Sequence, residues 1–267
     1  MGNTFLKWAG GKHWFVCKEQ QRFPNEYNRY IEPFLGGSCF FHLQPQNALL
    51  SDINSELIDT YIAVRDNVDK VYQHLRIHAN KHCEQYYYTI RERKTITSAT
   101  SAARMIYLNK ACYNGIYRVN RSGKFNVPYG TATKLSFDKN ILESASKDLK
   151  HAEIICQDLE LSINQAQEGD FLFCDPPYAV IDNNNRFVGY NADAFSWDDQ
   201  IRLSNALIRA KNRNVKIIMT NVDHENVRAL YQDIEGFTLD RIQRQCFISG
   251  TLQGRRQYLE LIVTANL

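Results

Sequence analysis

Apolar residues along the chain form short runs that alternate with stretches of helical spacing. Between Leu57 and Arg65, and again over Trp197–Asn212, apolar positions recur three and four residues apart, which predicts helices with one buried face. Strands that alternate with helices favour a mainly parallel sheet, and late strands with no helix between them predict an antiparallel edge. The runs that predict strands are Tyr30–Phe34, Ala48–Ile53, Glu153–Cys156, Phe171–Cys174, Val215–Met219, Phe237–Ile242 and Tyr258–Val263.

A long middle segment interrupts this alternation. From about residue 66 to residue 137 the pattern is helical and polar, with a serine- and threonine-rich stretch at 95–101 that predicts a loop between helices. Tyr117–Pro128 alternates around Ser122 and Gly123, as a β-hairpin would. The sequence therefore predicts one α/β domain made of residues 1–55 and 138–267, with a mostly helical domain inserted at 56–137.

The composition narrows the class of protein. Of the 267 residues, 44% are hydrophobic and 23% charged, which is the balance of a folded globular protein. No apolar run approaches the length of a membrane span, and the first residues lack the apolar core of a signal peptide. The seven cysteines form no C-x-x-C pair. We therefore expect a cytoplasmic protein without disulfides and without a structural metal.

The net charge of +3 says little, but the basic residues are unevenly placed. Residues 104–137 contain no acid, and the same stretch holds tyrosine, glycine and asparagine residues in a turn-like order. That mixture is typical of contacts to phosphates and bases, although a solvated basic surface is the plainer alternative. A nucleic acid is therefore the favoured partner. The basic residues of this stretch are Arg104, Lys110, Arg118, Arg121, Lys124 and Lys134.

Three of the predicted strands end in residues that suit a ligand site. Phe171–Cys174 leads into Asp175, two prolines and Tyr178, and the sheet ladder must stop there because proline has no N–H. A glycine turn at 32–38 (EPFLGGS) follows the first strand, and Asp52 ends the second. Such a turn followed by an acid resembles a nucleotide-binding unit. The missing G-x-G-x-x-G pattern disfavours a dinucleotide, and an ordinary turn with an acidic helix cap remains an alternative.

Taken together, four stretches resemble the Dam-type DNA adenine-N6 methyltransferases (D12 class, α group). They are FLKWAGGK at 5–12, EPFLGGS at 32–38, YNGIYRVNRSGKFNVPYG at 113–130 and DPPY at 175–178. Ser38 departs from the pattern, since many relatives have glycine there. The resemblance implies a Rossmann-like methyltransferase sheet, mainly parallel with an antiparallel edge strand, and an inserted target-recognition domain with a DNA-binding hairpin. It also implies S-adenosyl-L-methionine as cofactor, double-stranded DNA as partner and an adenine flipped out of GATC as substrate, without an obligatory protein partner.

The chemistry explains the catalytic motif that the resemblance implies. An adenine amine is a poor nucleophile, because its lone pair is delocalised into the ring. Asp175 and the Pro176 carbonyl can accept hydrogen bonds from the N6 hydrogens, Pro177 stiffens the motif, and Tyr178 can stack on the base. By the same resemblance, the cofactor site comprises Trp8, Lys12, Phe34, Asp52, Ile53 and Asp175, although Trp8 and Phe34 could instead be core aromatics.

The resemblance also assigns DNA contacts, with a purely structural hairpin as the alternative. Arg118 would read a guanine through a bidentate contact in the major groove. Ile116 would wedge beside the flipped adenine, and Pro128 would touch a thymine methyl group. Thr131 replaces a basic residue of some relatives, which puts discrimination of the first base in question. The remaining contacts are Tyr113 and Asn114 at the opened site, Lys7 at the outer base pair, and Arg121 and Lys124 at phosphates.

Other functions stay open at this point. A related enzyme could methylate cytosine N4 or a protein glutamine, but these enzymes favour serine or asparagine where this chain has Asp175. The chain could also be an inactive DNA-binding relative, against which the intact Asp52, Asp175 and Tyr178 argue. Adenine methylation in a short sequence other than GATC is the closest alternative.

Overall fold

The computed structural model describes residues 4–8, 10–36, 38–120, 122–178, 180–181, 187–188, 195–245 and 257–267. The chain has a mixed α/β fold with a seven-stranded, mostly parallel sheet and an antiparallel edge, which confirms the predicted fold class. It divides into two compact units: residues 1–18 with 35–156, and residues 19–34 with 157–267. None of the helices in the described ranges combines the length and apolar character that a membrane span requires.

The helices and strands are numbered in chain order. The helices are α1 (His13–Lys18), α2 (Phe40–Leu43), α3 (Ser55–Asn80), α4 (Glu84–Glu92), α5 (Ser98–Ala111), α6 (Lys139–Leu149), α7 (Leu159–Gln165), α8 (Trp197–Lys211) and α9 (Glu225–Ala229). The strands are β1 (Tyr30–Glu32), β2 (Ala48–Asp52), β3 (Ala152–Cys156), β4 (Phe171–Cys174), β5 (Val180–Ile181), β6 (Phe187–Val188), β7 (Lys216–Val222), β8 (Thr238–Gln245) and β9 (Gln257–Ala265). Short 3-10 turns span Gln20–Arg22 and Tyr113–Gly115.

The first unit packs helices against the parallel pair β2 and β3. Asp52, the last residue of β2, lies opposite Cys156, the last residue of β3. The chain then turns directly into the long helix α3, whose start is capped because the Asn54 side chain accepts the N–H of Leu57 at 3.2 Å. This arrangement leaves Asp52 between the end of a strand and the start of a helix. Residues 56–137 lie within this unit, and their division into a separate inserted domain remains a prediction.

In the second unit, the parallel strands β1, β4 and β7 are followed by the antiparallel strands β9 and β8. All four residues of β4 are buried, which explains their unbroken apolar run. β4 stops at Cys174, just before Asp175 and the two prolines. β7 continues to Val222, because its last residues pair with β9 on the other side, where Val222 lies opposite Glu260.

The predicted strands are confirmed, with shifts of a few residues at their ends. The strand predicted at Tyr30–Phe34 ends at Glu32, since Pro33 cannot continue the ladder. The strand predicted at Val215–Met219 extends to Val222, through two polar residues that are fully buried, Thr220 and Asn221.

The predicted loop at 95–101 is wrong in its second half. Helix α5 begins at Ser98, because the Thr97 side chain accepts the N–H of Thr100 and the Thr100 hydroxyl lies within hydrogen-bond distance of the Thr97 N–H. The predicted hairpin is present in a reduced form: Val119 and Phe125 form a single antiparallel bridge rather than a continuous ladder.

Candidate active site

The motif Asp175–Tyr178 follows β4 and is held by side chains of the neighbouring strand and helix. Asp175 is half-buried, and its Oδ1 accepts a hydrogen bond from the Thr220 hydroxyl at 2.9 Å. The Pro177 carbonyl accepts from the Gln200 amide at 3.4 Å. Gln200 in turn accepts from the Asn221 amide at 3.1 Å. These contacts tie the motif to β7 and α8 rather than leaving it as a free loop.

Acidic groups surround the end of β4. Glu32 is buried at the end of the neighbouring strand β1, where its carboxylate accepts a hydrogen bond from the Tyr30 hydroxyl at 2.9 Å. Burial raises the pKa of the Cys174 thiol well above its usual value, and the charges of Glu32 and Asp175 raise it further. The thiol is therefore neutral. An edge of this kind favours a ligand that carries positive charge.

Asp52 ends β2 in the first unit, where its carboxyl group meets backbone N–H groups of the glycine turn. Burial raises its pKa to about 6, although hydrogen bonds from backbone N–H groups, including those of Asn54 and Leu35, act in the opposite direction. The Asn54 N–H lies 2.9 Å from Oδ1. The next residue, Ile53, is 71% exposed. A carboxylate beside an exposed apolar side chain can accept hydrogen bonds from hydroxyl groups while a flat ring covers the isoleucine.

Trp8 packs closely against the glycine turn. A Cβ added at Gly36 would lie 2.2 Å from the indole Nε1, so only glycine fits there. The indole also stacks on the ring of Tyr117, with centroids 5.3 Å apart. Lys12, four residues after Trp8, is buried, and its ammonium group donates a hydrogen bond to the Gly10 carbonyl at 3.2 Å. Trp8, Lys12, Asp52 and Ile53 thus all belong to the first unit.

Phe34 belongs to the second unit together with Asp175. Its half-buried ring packs edge-to-face on Phe195, with centroids 5.7 Å apart. Ser38, which departs from the glycine of many relatives, is buried in the first unit, and its Oγ accepts the Phe40 N–H at 3.1 Å. The serine side chain therefore has a local use at the start of α2.

The segment that begins the hairpin is fixed to the first motif of the chain by Asn109. This buried amide accepts the Lys7 N–H at 2.8 Å and donates to the Lys7 carbonyl at 2.7 Å and the Gly115 carbonyl at 3.2 Å. Gly115 has a φ of 67°, and an added Cβ would lie 2.5 Å from the Lys7 side chain. Asn114, also left-handed with a φ of 55°, is exposed, as is Tyr113.

The hairpin presents basic side chains to solvent. Arg118 is exposed, and its Nε donates to the Asn126 side chain at 2.8 Å, which orients the guanidinium across the hairpin. Lys124 is exposed beside the turn, where its N–H donates to the Asn120 side chain at 3.0 Å. Arg121 lies outside the described residues. Of the remaining predicted contacts, Pro128 is exposed and Ile116 is half-buried.

Glu56 anchors the root of the hairpin. Its carboxylate accepts the Tyr117 hydroxyl at 3.0 Å and pairs with Arg104 at 2.9 Å. Burial raises the pKa of the Tyr117 hydroxyl, and the Glu56 charge adds to the effect. Tyr117 therefore remains a neutral donor, and its bond to Glu56 holds the ring that stacks on Trp8.

Sequence reasoning missed the residues that hold these motifs. Thr220, Asn221 and Gln200 are buried polar side chains, and a Thr-Asn pair at the end of an apolar strand is a signal that could have revealed two of them. Asn109 and Glu56 give no such signal, because their partners lie far away in the sequence.

Comparisons of the sequence with known proteins identify the family. A sequence model of the D12 class N6 adenine-specific DNA methyltransferases matches residues 8–246. The type II methyltransferase M1.LlaDCHI of Lactococcus lactis subsp. cremoris is 33% identical, over 97% of this chain and 94% of its own. The type II methyltransferase M.MjaIII of Methanocaldococcus jannaschii is 33% identical, over 89% and 90%. The DNA adenine methylase of Escherichia coli is 31% identical, over 86% and 84%.

Fold, motifs and similarity therefore define an enzyme that transfers a methyl group to DNA. The chain belongs to the D12 class of N6 adenine-specific DNA methyltransferases. Its substrate is DNA, and its reaction requires a methyl donor.

Proposed function

We propose that this enzyme transfers a methyl group from S-adenosyl-L-methionine to N6 of an adenine that is flipped out of duplex DNA, within the sequence GATC. The observation that carries the proposal is the Asp175–Tyr178 motif, which follows the buried strand β4 and is held by Thr220 and Gln200. A rigid carboxylate at the carboxyl end of a parallel strand is the acceptor that an amine substrate needs. The proposed place of the reaction is the cytoplasm.

The residues of the first unit fit the cofactor. The Asp52 carboxylate can accept the ribose hydroxyls, and the exposed Ile53 offers an apolar surface for the adenine ring. Trp8 and Lys12 would complete the site in this unit. In the second unit, Phe34 would flank the adenine ring, and Asp175 would favour the positive charge of the methionine part, with the buried Glu32 at the end of the adjoining strand β1. When bound, the sulfonium supplies an activated methyl group.

The protein's contribution to the reaction is to prepare the amine. Asp175 accepts a hydrogen bond from one N6 hydrogen and the Pro176 carbonyl accepts one from the other, which draws the nitrogen lone pair out of the ring. Tyr178 stacks on the base, an interaction worth about 1–3 kcal/mol in comparable sites. Flipping the base out of the stack costs a few kcal/mol, which contacts to the opened site must offset. The transfer itself then depends on positioning.

Recognition of GATC is proposed from the segment that begins at Tyr113. Arg118, oriented by Asn126, would read a guanine, while Ile116 would fill the gap beside the flipped adenine. Tyr113 and Asn114 would support the opened site, Pro128 would contact a thymine methyl group, and the side chain of Lys7 would meet the outer base pair. Lys124 and Arg121 are proposed as phosphate contacts.

A map of N6-methyladenine on plasmid DNA treated with the enzyme tests the target sequence. We expect modification at GATC alone. Methylation confined to another short sequence would keep the proposed reaction and overturn GATC as the target. Two observations give weight to that alternative: Thr131 replaces a basic residue of some relatives, and the chain is similar to type II methyltransferases.

A pair of variants tests how the sequence is read. Arg118→Ala is expected to reduce discrimination at one base pair by about 1–3 kcal/mol, or roughly 5- to 150-fold, in methylation of substituted duplexes. Lys124→Ala should instead weaken binding to all duplexes alike and lower the salt dependence of the affinity. Equal effects of the two variants on every sequence would argue against base reading by Arg118.

A further inference from the structure

Two consecutive buried residues of β7 hold the catalytic motif by separate routes. We propose that Thr220 is a positioning residue that fixes the Asp175 carboxylate for methyl transfer, and that Asn221 and Gln200 fix the backbone of the same motif. The proposal rests on the proposed role of Asp175 as the acceptor of the substrate amine.

The sheet register brings Thr220 beside Asp175. β4 and β7 are parallel, and Cys174 lies opposite Met219, so the next residues of the two strands are Asp175 and Thr220. The ladder between β4 and β7 stops there, whereas β7 stays paired with β9, with Thr220 opposite Ile262. Thr220 therefore stands on a fixed strand next to the residue where its neighbour leaves the sheet.

The hydroxyl of Thr220 controls the rotation of the carboxylate. Rotation about the last side-chain bond of an aspartate is only weakly restricted by its own geometry. The Thr220 hydroxyl is fully buried and donates to Asp175 Oδ1 at 2.9 Å. Since an unmade bond would leave a buried hydroxyl without its partner, the contact is strongly favoured. This bond restricts the rotation of the carboxylate before substrate arrives.

The second route is a directional chain of amides. Asn221 Oδ1 accepts the Val222 N–H at 2.8 Å, which leaves its Nδ2 to donate to Gln200 Oε1 at 3.1 Å. Gln200 Nε2 must then donate, and it does so to the Pro177 carbonyl at 3.4 Å. Each step fixes the orientation of the next amide. Because successive residues of a strand point to opposite faces, Thr220 and Asn221 act on the motif from two sides.

The decisive variant is Thr220→Val, which keeps the shape of the side chain and removes the hydroxyl. We expect the single-turnover rate of methyl transfer to fall about tenfold or more, since small losses of alignment are costly in positioned reactions. The dissociation constants for duplex DNA and for S-adenosyl-L-methionine should change less than about twofold, within the roughly ±0.5 kcal/mol of neutral substitutions. Thr220→Ser, which restores the hydroxyl, should recover most of the rate.

Thr60→Val is a matched control, because Thr60 is equally buried and its hydroxyl donates to the Glu56 carbonyl of its own helix at 2.7 Å. It should lose a similar amount of stability in thermal unfolding and keep its transfer rate. If Thr220→Val does not fold, Thr220→Ala carries the same comparison without the added methyl group.

Asp175→Ala separates the two levels of the proposal. Wild-type transfer by Thr220→Val, with Asp175→Ala inactive, would overturn the positioning role of Thr220 alone. A drop in Thr220→Val that serine does not rescue would also overturn it. An active Asp175→Ala enzyme would instead overturn the proposed role of Asp175. For the amide chain, Gln200→Met should lower the rate in the same way while cofactor affinity is kept.

Discussion

The charged form of Asp52, which is the form proposed to bind the cofactor, should lower the free energy of unfolding at neutral and higher pH. In the folded protein burial raises its pKa from 3.8 to about 6. Between these values the folded state binds more protons than the unfolded state, so the free energy of unfolding falls as the pH rises through this window. At pH 6 about half of the carboxyl groups are charged, and by pH 8 nearly all of them are. Replacing Asp52 with asparagine removes this charge and keeps an oxygen that can accept the Asn54 N–H.

The size of the effect follows from the shift in pKa. A shift from 3.8 to about 6 corresponds to an upper value of about 3 kcal/mol at 1.36 kcal/mol per unit. We therefore expect Asp52→Asn to be more stable than the wild type by about 1–3 kcal/mol at pH 8, and by much less at pH 4. The same change removes the proposed acceptor of the ribose hydroxyls and should weaken binding of S-adenosyl-L-methionine by about 10- to 100-fold.

Denaturant unfolding of both proteins at pH 4, 6 and 8, together with calorimetric titration of the cofactor, measures both effects. Asp59→Asn is the control, since Asp59 is exposed on α3 and its replacement should change stability by less than about 0.5 kcal/mol. In the wild type, cofactor affinity should fall as the pH drops below 6. An Asp52→Asn protein that is less stable than the wild type at pH 8, or that binds cofactor normally, would refute the reasoning.

Two further substitutions probe the packing in the first unit. Gly36→Ala places a Cβ 2.2 Å from the Trp8 indole and should cost about 1–3 kcal/mol of stability in denaturant unfolding, whereas Gly11→Ala, with 3.4 Å to its nearest neighbour, should cost less. Equal losses would show that the indole is free to move. Asn109→Ala leaves the Lys7 backbone without its side-chain partner and should lower the free energy of unfolding by about 1–3 kcal/mol. An unchanged melting curve would contradict that account.

The strand that leads to the proposed catalytic motif, and the residue at which it ends, were predictable because their signals are local. Phe171–Cys174 is a run of four buried residues, and the prolines that follow mark its end in the sequence itself. The start of α5 also has a local signal, since Thr97 and Thr100 cap one another. The prediction of a loop at 95–101 overlooked this signal. These features depend on neighbours a few residues apart.

The supports of the motifs depend on distant partners and could not be predicted in the same way. In the sequence, Thr220 and Asn221 look like the polar end of a strand. That they are buried becomes clear only from their partners in the fold, Asp175 and Gln200. Asn109 lies in a basic stretch, yet its amide bonds to Lys7, 102 residues earlier. Propensity and periodicity carry no information about such pairings, which only the folded sheet and helices create.

Methyl transfer from labelled S-adenosyl-L-methionine to two matched duplexes tests the central claim most directly. One duplex contains GATC, and in the other the adenine of that sequence is replaced. The proposed function predicts label in the first duplex only, recovered as N6-methyladenine. Equal label in both would contradict GATC as the target, and no label in either, from a protein that binds both duplex and cofactor, would contradict catalysis by this chain.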